Sequence, residues 1–181
     1  MTTENLPVLA ILGGTGDLGT GLARRWAQAG YEVIIGSRTL EKAEAAVADL
    51  REVMAERGVS EVTVQAMSNA DAAAAAEIVT LTVPFSHQVS TLESVRDALQ
   101  GKILIDVTVP LVPPRVARVQ LPPEGSAGQI AQELLGEEVA VVSAFQNVAA
   151  AHLQEGKGVE CDVLVSGNKK EARQQVIELV E

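Results

Sequence analysis

Short apolar runs alternate with amphipathic stretches along most of the chain. Val8–Leu12 is uniformly apolar and runs into glycines, the pattern of a strand buried on both faces. Asp17–Ala29 then sets Leu18, Leu22, Trp26 and Ala29 at helical spacing and closes on Gly30. The alternation predicts further strands at Glu32–Ile35, Val62–Ala66, Ile78–Val83, Ile103–Val107, Val139–Ala144 and Val163–Val165. Helices are predicted at Leu40–Arg57, Asn69–Ala76, Gln88–Leu99, Gln129–Leu135 and Lys169–Val180. Val109–Pro123 holds five of the seven prolines and reads as a loop, because proline neither donates to a ladder nor continues a helix.

Strands alternating with helices at this spacing mean βαβ units. The expected fold class is therefore α/β: a Rossmann-type, doubly wound, mainly parallel sheet with helices on both faces. No repeat, low-complexity tract or linker interrupts the 181 residues, so a single nucleotide-binding domain over 1–181 is expected. The only aromatic residues are Trp26, Tyr31, Phe85 and Phe145, which leaves the core to Val, Leu, Ile and Ala.

Charge and composition narrow the partners. A formal net charge of −10 opposes nucleic-acid binding, which needs clustered Lys and Arg. No apolar stretch approaches the ~20 residues of a membrane span, and Met1–Leu6 carries no signal-like segment. A lone cysteine, Cys161, excludes an internal disulfide and suits a reducing compartment; beside its apolar run it is expected to be a small buried residue. The expectation is a cytoplasmic protein. His87, His152 and Cys161 have no ligand spacing, so no metal site is expected.

The chemistry lies in Gly14-Thr15-Gly16-Asp17-Leu18-Gly19, a G-x-G-x-x-G segment that follows a strand and opens a helix. Gly14 permits the tight turn, Gly16 lets the backbone approach a pyrophosphate, and Gly19 lets the helix pack closely on the strand. The free N–H groups and the positive end of the helix dipole then hold the phosphates. At the end of the second strand an NAD site usually has Asp or Glu for the ribose hydroxyls. This chain has Gly36-Ser37-Arg38, with Lys42 four residues on. Arg38 offers a planar fork of donors, Ser37 a hydroxyl and Lys42 a second positive charge, so NADP(H) is the expected cofactor.

These residues resemble the coenzyme F420-dependent NADP oxidoreductases, also called NADPH-dependent F420 reductases. Thr82-Val83-Pro84-Phe85 with His87 is similar to that family's segment beside the nicotinamide. Val142-Ser143-Ala144-Phe145-Gln146-Asn147-Val148-Ala149-Ala150 is similar to its deazaflavin-side segment, where some members carry a histidine near the place of Gln146. The resemblance implies an NADP-dependent oxidoreductase that moves hydride between C4 of nicotinamide and C5 of coenzyme F420, its co-substrate. It implies that Thr82, Val83, Pro84, Phe85 and His87 shape the nicotinamide pocket. Gln146, Asn147, Val148 and Ala149 would line the deazaflavin pocket, with Arg115 and Arg118 of the proline loop near its anionic tail. No certain acid or base is implied; Pro84, Phe85, His87 and Asn147 would position the rings. Members of that family usually continue past the point matching Glu181 with a strand and further helices, so the expectation is either a short form or a missing segment, and a homodimer where that segment is complete.

Two other functions fit the same residues. One is an NADPH-dependent reductase of another acceptor, flavin or iron. The other is an NADP-binding sensor module without catalysis. A short-chain dehydrogenase is disfavoured, because Tyr31 has Ile35 rather than Lys four residues on. A serine hydrolase lacks its G-x-S-x-G elbow.

Overall fold

A computed structural model describes residues 6–59, 61–111 and 118–181. Seven strands form one sheet: β1 (Leu9–Leu12), β2 (Val33–Ser37), β3 (Val64–Ser68), β4 (Ile78–Leu81), β5 (Ile103–Asp106), β6 (Ala140–Ser143) and β7 (Ser166–Gly167). Between them lie α1 (Asp17–Gln28), α2 (Leu40–Glu56), α3 (Asn69–Ala75), α4 (Gln88–Val95), α5 (Ala127–Leu135) and α6 (Ala150–Gln154), and α7 (Lys170–Glu178) follows. The strand order is β3-β2-β1-β4-β5-β6-β7, with β7 antiparallel to β6 and every other pair parallel. This is the expected doubly wound α/β architecture.

Why the strands read as unbroken apolar runs is visible in β1. Leu9 and Ile11 pack on one face with Leu22, Trp26, Val47 and Val176; Ala10 and Leu12 pack on the other with Ala72, Leu92 and Ala131. Both faces are covered, so no polar alternation survives. The chain winds outward through β2 and β3, then returns across β1 to β4. That reversal opens a crevice above the carboxyl ends of β1 and β4, the usual ligand position in open α/β sheets. Leu12, Gly36, Leu81, Asp106 and Ser143 stand level there in the ladder.

Several boundaries differ from the sequence pattern, each for a local reason. β4 stops at Leu81: the Thr82 N–H makes the last ladder bond, to the Leu12 carbonyl, and the Thr82 hydroxyl donates to the same oxygen, each at 3.0 Å. β3 pairs two residues later than expected, with Val64 opposite Val33. The helix expected at Gln88–Leu99 ends at Val95 and continues as a 3-10 turn over Asp97–Leu99. α5 begins earlier, at Ala127, where Ser126 Oγ accepts the Gln129 N–H at 3.1 Å and caps the helix. The strand expected at Val163–Val165 has no ladder partner; pairing is confined to Ser166–Gly167. Cys161, expected to be buried, is exposed, because the segment that carries it forms no strand and lies at the surface. Among the described residues, no helix is long and apolar enough to cross a membrane.

Candidate functional site

The glycine-rich segment occupies the crevice, and each glycine has its own geometry. Gly13 has φ +67°, and the Gly14 N–H donates to the Gly36 carbonyl at 3.0 Å. A Cβ at Gly14 would lie 2.7 Å from the Ile11 carbonyl oxygen, and one at Gly19 would lie 2.7 Å from Gly14 Cα. A Cβ at Gly16 would meet nothing within 4 Å, because it would point into the crevice. The first helical hydrogen bond of α1 runs from the Thr20 N–H to the Gly16 carbonyl, so the Asp17, Leu18 and Gly19 amides precede the ladder. Gly16 is the N-cap, and no side chain caps it. Three amides and an uncapped helix start facing open space fit a pyrophosphate.

The end of β2 forms the second wall. Ser37 is buried; its Oγ accepts the Thr39 N–H at 3.2 Å, which leaves the hydroxyl hydrogen to donate outward. Arg38 and Lys42 are exposed at the rim. Asn69, at the start of α3, is buried, and its Oδ1 accepts the Gly13 N–H at 3.2 Å. No carboxylate stands at the end of β2, so the donors Ser37, Arg38 and Lys42 meet no competing acceptor there. This set fits a ribose carrying a 2′-phosphate.

The third wall is the turn after β4. Thr82, Val83 and Pro84 lead into a 3-10 turn, Phe85–His87, that opens α4. Val83 packs against the glycine loop, where a Cβ on Gly13 would lie 2.5 Å from Val83 Cγ1. Together these walls enclose a cleft of about 250 Å³ lined by Thr15, Gly16, Ser37, Arg38, Thr82 and His87, with Gly13, Lys42, Val83 and Pro84 completing it.

After β6 the chain turns sharply at Phe145, which has φ +70°. A bulky residue there costs about 1–2 kcal/mol. Phe145 is held by burial and by an edge-on contact with Trp26, ring centroids 6.0 Å apart. Gln146–Ala149 then leave the sheet edge. Gln146 Nε2 donates to the Asp106 carbonyl at 2.8 Å, and Asn147 Nδ2 donates to the Asp162 carbonyl at 2.6 Å. Val148 is half-buried and Ala149 exposed. α6 follows at once and is seated on α1.

Of the residues expected from sequence, Thr15, Gly16, Ser37, Arg38, Lys42, Thr82, Val83, Pro84 and His87 come together in the one cleft. Gly14 and Gly19 are buried beneath it, and Asp17 and Leu18 form the first turn of α1. Among the described residues Phe85 is not one of its walls, and Gln146–Ala149 stand apart on the loop beyond β6. Arg118 is exposed; Arg115 lies outside the described residues. Sequence reasoning missed Thr39, Asn69 and Thr91, which also line the cleft. Asn69 carries the one legible signal, a polar residue directly after the third strand, level with the ribose end.

Fold and site together define a Rossmann dinucleotide-binding protein with donors rather than a carboxylate at the ribose end. The profile of the family described as "NADP oxidoreductase coenzyme F420-dependent" matches residues 8–110. An F420-dependent NADP reductase of Methanocaldococcus jannaschii is 42% identical over 175 residues, which are 94% of this chain and 77% of that one. Its namesake in Methanothermobacter thermautotrophicus is 43% identical over 178 residues, 96% of this chain and 75% of that one. A crystal structure of an Arthrobacter sp. FB24 protein, assigned by name to the F420 dependent NADP-reductases, superposes with a TM-score of 0.76 at 28% identity. It covers 97% of this chain and 80% of that one. The chain belongs to the F420-dependent NADP oxidoreductase family.

Proposed function

We propose that this protein catalyses hydride transfer between NADP(H) and the deazaflavin coenzyme F420. The observation that carries the reading is the single cleft joining the glycine loop, the Ser37–Arg38–Lys42 edge and the Thr82–His87 turn, in a chain of this family. The two cofactors supply the redox chemistry, a hydride passing between C4 of one ring and C5 of the other. The chain's task is to align two flat rings and exclude water, which requires positioned surfaces rather than an acid or base.

Each residue has a place in that task. Gly14, Thr15 and Gly16, with the amides of Asp17, Leu18 and Gly19, hold the pyrophosphate. Ser37, Arg38 and Lys42 hold the 2′-phosphate. Thr82, Val83, Pro84 and His87 bound the nicotinamide, with Phe85 bracing the turn. Gln146, Asn147, Val148 and Ala149 receive the deazaflavin, where small side chains let a tricyclic ring approach. We further propose a cytoplasmic setting and a homodimer, the latter checked by light scattering on the eluted protein.

The deciding experiment follows the absorbance of oxidised F420 with purified protein and NADPH, with NADH and FMN as separate substitutes. Loss of the F420 band with NADPH, and little with NADH or FMN, is expected. Turnover with FMN alone points to another acceptor. Tight NADPH binding without turnover of any acceptor points to a binding module.

A further inference from the structure

Asp106 and Gln88 are each 0% exposed, and the function proposed above assigns neither a task. Asp106 ends β5, level with Leu81 of β4 and Ser143 of β6, directly under the carboxyl edge of the sheet. Its Oδ2 accepts from Gln88 Nε2 at 2.7 Å and its Oδ1 from the Thr108 N–H at 2.9 Å. Its backbone carbonyl accepts from Gln146 Nε2 at 2.8 Å. The second Nε2 hydrogen of Gln88 goes to the Ala127 carbonyl, 2.8 Å away at the start of α5.

Asp106 therefore joins three segments directly, and through Gln88 a fourth. Gln88 directly follows His87 and so anchors the turn assigned to nicotinamide. Gln146 opens the loop assigned to the acceptor. Thr108 directly precedes the proline loop, and Ala127 begins α5. The arrangement is expensive for a core. Burial opposes the carboxylate, and Gln88 Oε1 has no partner among the described residues. Apolar side chains would fill the same space without either penalty. What they would not do is hold Gln88, and with it the nicotinamide turn, to the residue whose backbone carbonyl holds Gln146.

We propose that Asp106 is a positioning residue that fixes the gap between the Pro84–His87 turn and the Gln146–Ala149 loop, and through it the distance the hydride travels. The inference rests on the assignment of those two segments made above. A displacement of about 1 Å costs on the order of 100-fold in such a transfer, so a shared anchor has kinetic value that binding alone does not reveal.

Two variants test it. Asp106→Asn keeps the shape but turns one acceptor into an NH2 that faces a donor. Gln88→Met keeps the volume and removes the donor. In both, kcat is expected to fall roughly 10- to 100-fold, with the KM for NADPH and for F420 within about threefold of the parent. Amide hydrogen exchange, read without any acceptor, is expected to rise in Thr82–Gln88 while β1 and α1 stay protected. Unchanged exchange in that turn overturns the proposal, and so does a joint loss of kcat and KM with exchange raised throughout, which marks a general structural role. The exchange result decides the anchor by itself. A parent enzyme that fails to reduce F420 removes the acceptor assignment, and the anchor then stands or falls on the exchange.

Discussion

Gly16 and Gly19 look alike in the motif but do opposite work. The space above Gly16 is open, whereas a methyl on Gly19 would press on the Gly14 backbone at 2.7 Å. Gly16→Ala is therefore expected to leave stability within about 1 kcal/mol, since its φ of −84° suits any residue. The new methyl occupies the pyrophosphate's place, so NADPH affinity should fall about tenfold or more, the factor that ~1.4 kcal/mol represents. Gly19→Ala should instead unfold the protein at lower urea, by about 1–3 kcal/mol of overpacking. Calorimetric titration and urea denaturation on the pair separate the two roles. Arg38→Asp tests the ribose end: NADPH binding should weaken on the order of 10- to 100-fold, the loss of a charged hydrogen bond worth ~1.5–3 kcal/mol. NADH binding should change little, and equal losses for both would remove Arg38 from the 2′-phosphate. The motif residues were legible because their spacing is fixed by backbone geometry. Thr39 and Thr91 were not, because a lone threonine carries no chemical signal of its own, and Asn69 offered only its polarity directly after the third strand.

α6 shows what an amphipathic pattern cannot reveal. A helix of five residues has no stability of its own and too little length for a periodic signal. Its stability comes from α1 and α2. Arg25 donates to the carbonyls of Leu153 at 3.0 Å and His152 at 2.9 Å, and Arg57 donates to the Gln154 carbonyl. Arginines at the carboxyl end satisfy its orphan carbonyls and oppose the negative end of its dipole. Burial, and then the nearby Arg57 charge, hold the Arg25 guanidinium below its usual pKa. Gln154 Nε2 closes the contact on the first turn of α1, at 2.7 Å from the Asp17 carbonyl and 2.9 Å from Thr20 Oγ1. Gly21 makes room, since a Cβ there would lie 2.8 Å from Leu153 Cβ. Arg25→Met removes two of these donors at once. It is expected to cost about 1–3 kcal/mol and to expose the 150–156 segment to proteolysis before the rest of the chain. Uniform digestion of all segments would show that α6 is not held in this way.

The central parallel strands could be anticipated because β1, β2 and β4 are buried along their whole length, and β5 and β6 nearly so, which makes each an apolar run; β3, at the sheet edge, is buried only at Val64. β7 could not, being two residues paired antiparallel to the edge of β6. Nor could the anchor beneath the site, whose partners Gln88 and Asp106 lie 18 residues apart on different elements. That anchor leaves a thermodynamic mark on the protein as a whole. Burial raises the pKa of Asp106 above the ordinary aspartate value, and the hydrogen bonds from Thr108 and Gln88 offset this only in part. The folded state thus holds the Asp106 proton more tightly than the unfolded chain does. The stabilisation from that proton is fully present below the unfolded pKa and is lost as pH rises through the folded one. Other carboxylates titrate in the same acid range, so the parent alone is not informative, but Asp106→Asn carries all of them except this one. The difference in urea midpoint, parent minus variant, should fall as pH rises from the ordinary aspartate range through the folded pKa and then level off. A flat difference would mean that folding leaves this carboxyl unchanged. A rising one would mean that the bonds from Thr108 and Gln88 outweigh burial, with Asp106 held as a carboxylate throughout.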